Sequence, residues 1–444
     1  MHKEILSLAI PSIVTNITVP LLGLVDVAIV GHMGDASYIG AIAVGTMMMN
    51  VICWLFGFLR MGTSGMTSQA YGRGDSKEAA TILFQAIALG AAIGILFVLF
   101  QPLLLRLFLF FMRPSDEIRA FASVYFHVCV FGLPAALVMY GLTGWFIGMQ
   151  DTRTPMTVSI FQNIVNIMTS LLLVYVFGMK VEGVALGTLT AQYSGLLLAL
   201  YILRRKYASH YQLLFSQFTL KPGDYSSFGY KHTLNRFFRV NRDIFLRTLF
   251  LVAVNAAFTS VGSRQGDVIL AVNTLLFQFF TLYSYIMDGF AYAGEAICGK
   301  YYGAGNAPSF HACIRRLFAW GVIMTVVYTA AYYFGANDIL HVLSNEQTVI
   351  EASEPYLLWV ALIPVAGMGA FIWDGVFIGI TDSRGMLLSC FVAAIVFAII
   401  LSLFFTTMGN HALWLALLSY LLARGVMQTM LFWRAKVEGL RTKD

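Results

Sequence analysis

Charge is scarce in this sequence. Asp, Glu, Lys and Arg make up 11% of 444 residues, where a soluble domain carries about 25%. Apolar residues reach 59%, and the mean hydropathy is +0.77. A water-soluble core of this length cannot hide that much apolar surface, which excludes a soluble globular protein. Cysteine is sparse too. Cys53, Cys129, Cys298, Cys313 and Cys390 are scattered, mostly inside apolar runs, and no pair has metal-ligand spacing. They read as small packing residues, with no metal site implied. The eight histidines are dispersed, and no Ser/His/Asp set or His cluster points to an enzyme. Gly294-Glu295-Ala296-Ile297-Cys298-Gly299-Lys300-Tyr301 comes close to a phosphate-binding loop. Its last position lacks the Ser or Thr that a magnesium ion needs, and the segment ends an apolar run instead of following a strand. Nucleotide binding and direct ATP drive are therefore rejected.

What is present is length. Runs such as 79–100, 157–177 and 386–405 carry almost no charge and extend about 20 residues, enough to cross a hydrocarbon layer. Lipid offers no hydrogen-bond partners, so each run should be a helix. The absence of alternating polar positions argues against a membrane barrel. The first apolar run lacks a small-residue cleavage site and carries Asp26, so it is read as a span and not as a signal peptide. The expected fold is an all-α integral membrane protein with twelve spans, at 5–30, 38–66, 79–105, 119–149, 155–178, 183–203, 243–263, 268–298, 311–335, 350–380, 385–407 and 411–433.

The chain also repeats itself. Phe146-Ile147-Gly148-Met149-Gln150-Asp151-Thr152-Arg153 returns as Phe377-Ile378-Gly379-Ile380-Thr381-Asp382-Ser383-Arg384, an offset of 231 residues. The same offset carries Tyr71-Gly72-Arg73-Gly74-Asp75 onto Tyr302-Gly303-Ala304-Gly305-Asn306, and Val30-Gly31 onto Val261-Gly262. Six spans precede the polar segment 204–242 and six follow it. The expected organisation is an N-terminal six-helix bundle at 1–203, a cytoplasmic linker at 204–242 and a C-terminal bundle at 243–444. Six is even, so the repeats run parallel, related by a pseudo-two-fold axis along the membrane normal. The linker is basic, has Pro222-Gly223-Asp224 as a turn signal, and should include a short amphipathic helix at the interface.

The net charge of +6 implies no nucleic-acid partner, because Lys and Arg in a membrane protein gather on the cytoplasmic side. With the N-terminus inside, twenty of the 28 Lys and Arg residues fall in inside segments, five in outside segments and three within spans. Both termini are thus expected in the cytoplasm, in a multi-pass protein of a cytoplasmic membrane.

Charges within spans are costly in lipid, so they face a cavity or a partner. Asp26 lies deep in span 1, beyond Pro11 and Pro20, either of which can remove a backbone hydrogen bond and act as a hinge. A carboxylate in a partly dry cavity can take up a proton near neutral pH. The competing reading is a structural carboxylate satisfied by hydroxyls or amides. Asn163, Asn166 and Ser170 share one face of span 5, and Thr188 and Gln192 one face of span 6. They suit oxygen donors to a small cation, partners of Asp26, or interhelical packing bonds. Asp288 and Glu295 share a face of span 8, with Arg247 in span 7 as a possible counter-charge. Arg60 is an equivalent cation in the first half, and Asp374 is placed to line a second-half cavity. For Asp288, Glu295 and Arg247 a structural buried ion pair and a substrate site are equally open; all five are candidates for a substrate cavity. Gly144-x-x-x-Gly148 and Gly375-x-x-x-Gly379 read as close helix crossings.

Several of these stretches resemble one family. Leu24-Val25-Asp26 before Val30-Gly31, Gln69-Ala70-Tyr71-Gly72, Gly144-Trp145-Phe146-Ile147-Gly148 and Val181-Glu182-Gly183-Val184-Ala185-Leu186-Gly187-Thr188 resemble the multidrug and toxic compound extrusion (MATE) family. Asp288-Gly289-Phe290-Ala291-Tyr292-Ala293-Gly294-Glu295-Ala296 is similar to its DinF-like branch. The resemblance implies two six-helix bundles around a central cavity. It also implies export of organic cations or other amphipathic small molecules in exchange for protons or sodium, with no cofactor, by a monomer of the bacterial inner membrane. It places coupling on Asp26, Asn166 and Thr188. Many relatives carry a second Asp where this chain has Ser170, and that departure favours protons over sodium. Alternatives are a sodium-coupled antiporter and a lipid-linked oligosaccharide flippase. The flippase would need a larger cationic cavity than Arg60 and Arg247 provide.

Overall fold

The computed structural model describes residues 1–31, 36–218 and 228–441. The turn signal at 222–224 and the side chain of Pro20 lie outside the described residues. Everything regular among the described residues is helical. The first helices are α1 (His2–Gly31), α2 (Ala36–Leu55), α3 (Phe58–Arg73), α4 (Ser76–Leu99), α5 (Gln101–Met112), α6 (Asp116–Cys129), α7 (Leu133–Gly148), α8 (Arg153–Leu171), α9 (Val181–Lys206) and α10 (Ala208–Phe218). They are followed by α11 (Phe228–Ser263), α12 (Asp267–Gly303), α13 (Ala307–Leu343), α14 (Gln347–Ser353), α15 (Leu357–Gly379), α16 (Ser383–Met408) and α17 (Asn410–Arg441). Among the described residues, eleven helical stretches are long and apolar enough to cross a membrane. The thirty-residue α1 supplies the twelfth.

Several predicted boundaries move, each for a local reason. The expected span 79–105 ends at Leu99, and Gln101 starts α5 with Pro102 in its first turn. Proline has no N–H to extend the α4 ladder and is preset for a helix start. The expected span 38–66 is broken between Leu55 and Phe58, next to Gly57. The end of span 5 widens into a π-turn over Leu172–Val176. The expected linker 204–242 is largely helical. Within it, α10 buries Leu214 in the core formed by Leu83, Trp145 and Val158. α11 starts well before residue 243, because nothing from Phe228 to Arg242 breaks a helix and Phe237 buries itself against Met66, Ala70 and Ile82.

The chain divides into two compact units: Ile10–Asn241, and Arg242–Asp444 together with Met1–Ala9. Most of the predicted linker therefore groups with the first unit. The first nine residues group with the second, where Lys300 donates to Glu4 at 2.8 Å.

Each unit uses the same local geometry at the repeated motifs. Gly74 and Gly305 take φ of 73° and 67°. Asp75 N–H donates to Ala70 O at 3.0 Å, and Asn306 N–H to Tyr301 O at 3.0 Å. The Asp75 carboxylate then caps α4 by accepting from Glu78 N–H, as Asn306 caps α13 by accepting from Ser309 N–H. Gln150 and Thr381 are both left-handed, with φ of 64° and 57°. That conformation is disfavoured by a Cβ and most of all by a β-branched one. The glycine pairs explain the close crossings. A side chain at Gly144 would strike the Arg60 carbonyl of α3, and one at Gly375 the Ala291 carbonyl of α12. Four residues on, Gly148 faces Ser64 O and Gly379 faces Glu295 O.

Candidate coupling site

The α1 acid sits where its neighbours exclude water. Asp26 is 6% exposed, and the adjoining Ile29 and Val30 belong to a core with Tyr125, Cys129 and Val130 of the α6–α7 corner. Gly45 of α2 leaves room for the Tyr125 ring, which any side chain there would strike. Tyr125 and Cys129 lie within electrostatic reach of Asp26, and the Tyr125 hydroxyl accepts from Thr46 at 3.4 Å. Oδ1 of Asp26 is buried with no hydrogen-bond partner among the described residues. Within the first unit, a cavity of about 280 Å³ is lined by Gly23 of α1 and by Thr46, Met47, Asn50 and Trp54 of α2. Gly23 lies one turn before Asp26.

The polar residues of α8 and α9 form a separate cluster. Asn166 and Ser170 are fully buried. Asn166 Nδ2 donates to Thr188 Oγ1 at 3.0 Å, and Ser170 Oγ donates to Asn166 Oδ1 at 3.5 Å, a long bond. Gly187 makes the space Ser170 occupies. Asn163 reaches α1 instead, donating to the Thr18 carbonyl at 3.0 Å. None of these residues hydrogen-bonds Asp26. Gln192 shares the Thr188 face but packs on Gly132 at the α6–α7 corner, where its Oε1 has no partner. α1 runs as a helix through Pro11, whose carbonyl accepts from Thr15 Oγ1 at 2.9 Å.

In the second unit Arg247 of α11 forms an ion pair with Asp374 of α15. Arg247 and Asp374 face α17, whose Arg424 donates to the same Asp374 Oδ2 at 3.3 Å, while Gln428 Nε2 donates to Oδ1 at 2.7 Å. Arg247, Asp374, Arg424 and Gln428 are all buried, so Asp374 belongs to an interhelical ion cluster. Glu295 is buried in α12, and Arg60 is buried in α3 of the first unit. Sequence reasoning counted Arg424 within a span but assigned it no partner. Its spacing of four from Gln428, on one helix face, was the available signal. A second polar set, Asn273 and Asn410 in reciprocal amide bonds of 2.8 and 2.9 Å with Trp414 donating to Asn273, gave no such signal.

At the Asp-Thr-Arg turn of the first repeat, Asp151 accepts from Lys206 at 2.8 Å, from Tyr207 at 3.1 Å and from Thr154. Burial alone would raise its pKa. The bonds from Lys206 and Thr154 outweigh burial and hold the carboxyl below its ordinary value.

These features, a duplicated six-helix plan with an isolated buried acid in its first helix, match a family of membrane transporters. The family model described as MatE matches residues 11–172 and again 244–404, one match in each repeat. The chain belongs to the multidrug and toxic compound extrusion (MatE) family. It is 35% identical to the DNA damage-inducible protein F of Escherichia coli (strain K12), over 96% of this chain and 90% of that protein. It is 23% identical to Protein DETOXIFICATION 44, chloroplastic, of Arabidopsis thaliana, over 95% of this chain and 80% of that protein. Among solved structures, one described as MATE in the bent conformation superposes with a TM-score of 0.86 at 19% identity, covering 99% of this chain and 96% of that one. The fold is thus that of twelve spanning helices in two bundles, in a multi-pass membrane protein that handles small molecules.

Proposed function

We propose that this protein is a secondary active exporter of amphipathic small molecules, driven by proton antiport through alternating access. It sits in the cytoplasmic (inner) membrane as a monomer, with both termini in the cytoplasm. The observation that carries the reading is Asp26: a buried carboxylate whose Oδ1 has no hydrogen-bond partner among the described residues, one helical turn from Gly23, which lines a cavity. An unpaired charge in that position is costly, and a bound proton removes the cost. Protonation from outside lets α1 repack and loosens cargo in the first unit. Loss of the proton to the cytoplasm restores the charge and the affinity. Coupling needs proton and cargo to favour different states.

Protons are favoured over sodium because the groups nearest to an oxygen cage are already committed. Asn166 and Thr188 bond each other, and Ser170 stands where a second carboxylate would serve a cation. Neighbouring names fit export: a Multidrug resistance protein MdtK of Edwardsiella ictaluri is 24% identical over 88% of this chain. The test is efflux from proteoliposomes under an imposed pH or sodium gradient. Proton-driven efflux that Asp26→Asn abolishes supports the reading. Efflux that follows only sodium overturns it.

A further inference from the structure

We propose that Ser159 and Asn163 of α8 are positioning residues for Asp26: they pin α1 at Thr18, so that a change of charge on the acid bends only the part of α1 beyond Pro20. The clause about charge rests on the reading of Asp26 as the coupling acid; the pin itself does not.

The pin is built from two bonds onto one residue. Asn163 Nδ2 donates to the Thr18 carbonyl at 3.0 Å. The Thr18 hydroxyl gives its single proton to the Thr15 carbonyl at 2.8 Å. The Ser159 hydroxyl is therefore the donor in its 3.3 Å contact with Thr18 Oγ1. Ser159, Asn163, Asn166 and Ser170 follow one another at spacings of four, three and four, which sets them on one face of α8. The later half of that face serves α9, through Asn166 and Thr188. The earlier half serves α1.

The pinned residue stands next to a weak point of α1. Pro20 has no N–H, so the helix ladder loses one bond two residues after Thr18. Asp26 lies eight residues beyond Thr18, about 12 Å along the helix axis. Past the proline the hold on α1 changes in kind. Ile29 and Val30 pack in the core with Tyr125 and Cys129, and apolar packing carries no direction. Tyr175, in the π-turn that follows α8, donates to the Ile29 carbonyl at 3.3 Å from an exposed side chain. A helix gripped by directed bonds on one side of a missing rung bends at the gap. The bend carries Asp26, and the pin fixes where it starts.

The second repeat supplies the control. The offset of 231 residues carries Thr18, Pro20, Asp26, Ser159 and Asn163 onto Leu249, Leu251, Ala257, Cys390 and Ala394. Proline, acid and both pinning groups disappear together, while the glycine crossings of α3 with α7 and of α12 with α15 are kept in both repeats. A pair of bonds that served only packing would have no reason to follow the acid.

The test is amide hydrogen exchange, read by mass spectrometry on the purified full-length protein in detergent near neutral pH, with Asp26→Asn as the neutral form of the acid. Four proteins make a cycle: wild type, Asp26→Asn, Asn163→Ala and the double variant. With Asn163 present, Asp26→Asn should change exchange about tenfold or more in residues 19–31 and less than about twofold in residues 10–18. On the Asn163→Ala background the same replacement should reach both segments. A bond that merely stabilised the fold would leave the cycle additive. Asn163→Gln, which keeps the amide donor, should return the response to residues 19–31. If Asn163→Ala fails to fold, Ser159→Ala removes the longer bond alone and should spread the response in part. A response across both segments with Asn163 in place, a response still confined to residues 19–31 without it, or no response in either segment would each overturn the proposal. Neither gradient nor cargo enters these measurements. The expected cycle with failed proton-driven efflux would sink the exporter reading and leave the pin standing, and proton-driven efflux with a failed cycle would do the opposite.

Discussion

The two units share a scaffold and differ in where they keep their charge. Gly144 and Gly375 seat against the same carbonyl position of the partner helix, and the left-handed turns at Gln150 and Thr381 superimpose in kind. Yet the repeat that gives Asp26 in the first unit gives Ala257 in the second. Arg247, Asp374 and Arg424 correspond to Asn16, Thr143 and Tyr193. The first unit holds one acid with an unsatisfied oxygen, and the second holds two bases sharing one acid. Backbone contacts that leave no room for a side chain tie the scaffold down in both halves. Side chains pointing into each bundle are free to differ, and that is where chemistry was installed.

The comparison can be broken most strongly at Asp374. Replacing it by Asn leaves two buried guanidiniums facing each other and should cost about 3–5 kcal/mol, read as a large drop in melting temperature in anion-poor buffer. Arg424→Met leaves Arg247 and Asp374 as a balanced pair and should cost clearly less. Equal losses for the two would show that Arg424 is as necessary to the cluster as the carboxylate it shares with Arg247. Next come the glycines. Gly144→Ala and Gly375→Ala each force two helices apart and should cost about 1–3 kcal/mol. A loss confined to one of them would show that the shared scaffold is less equal than the geometry implies.

Smaller effects separate the two repeated Asp-Thr/Ser-Arg turns. Asp151 is held by Lys206, Tyr207 and Thr154, whereas Asp382 accepts from the Gly385 N–H at 2.9 Å and, among the described residues, has no matching lysine bond. Asp151→Asn should therefore cost about 1–2 kcal/mol near neutral pH and more than Asp382→Asn. The Asp151 carboxyl is held below its ordinary pKa in the folded protein. Its contribution is complete above the unfolded value of about 3.9 and is lost as pH falls through the lower folded value. The difference between wild type and Asp151→Asn should shrink only in that acid range. The smallest effect is expected at Thr381. Thr381→Gly relieves a left-handed β-branched residue and should stabilise by up to about 1 kcal/mol.

Much of this was legible before any coordinates. Charge scarcity and apolar length gave the spans, and the offset of 231 residues gave the two-unit plan. A lone acid in an apolar run singled out Asp26. What could not be read was pairing across elements. That Arg247 would meet Asp374 of α15, and share it with Arg424 of α17, had no signal in the sequence, because periodicity places a charge on a face without naming its neighbour. The polar composition of 204–242 suggested a linker with one short interfacial helix, whereas Phe237 and Leu214 each had a core to enter. Periodicity reports which face is apolar and is silent on which neighbour covers it. Asn163 illustrates the limit: its face was foreseen, but its partner is the Thr18 carbonyl and not Asp26.

The central claim concerns Asp26, and efflux from proteoliposomes tests it most directly. With wild-type protein, an inward proton gradient should drive cargo export and a sodium gradient should not. The Asp26→Asn protein, with an unchanged melting profile, should export nothing above the protein-free rate under either gradient. Full proton-driven export by Asp26→Asn would contradict the account.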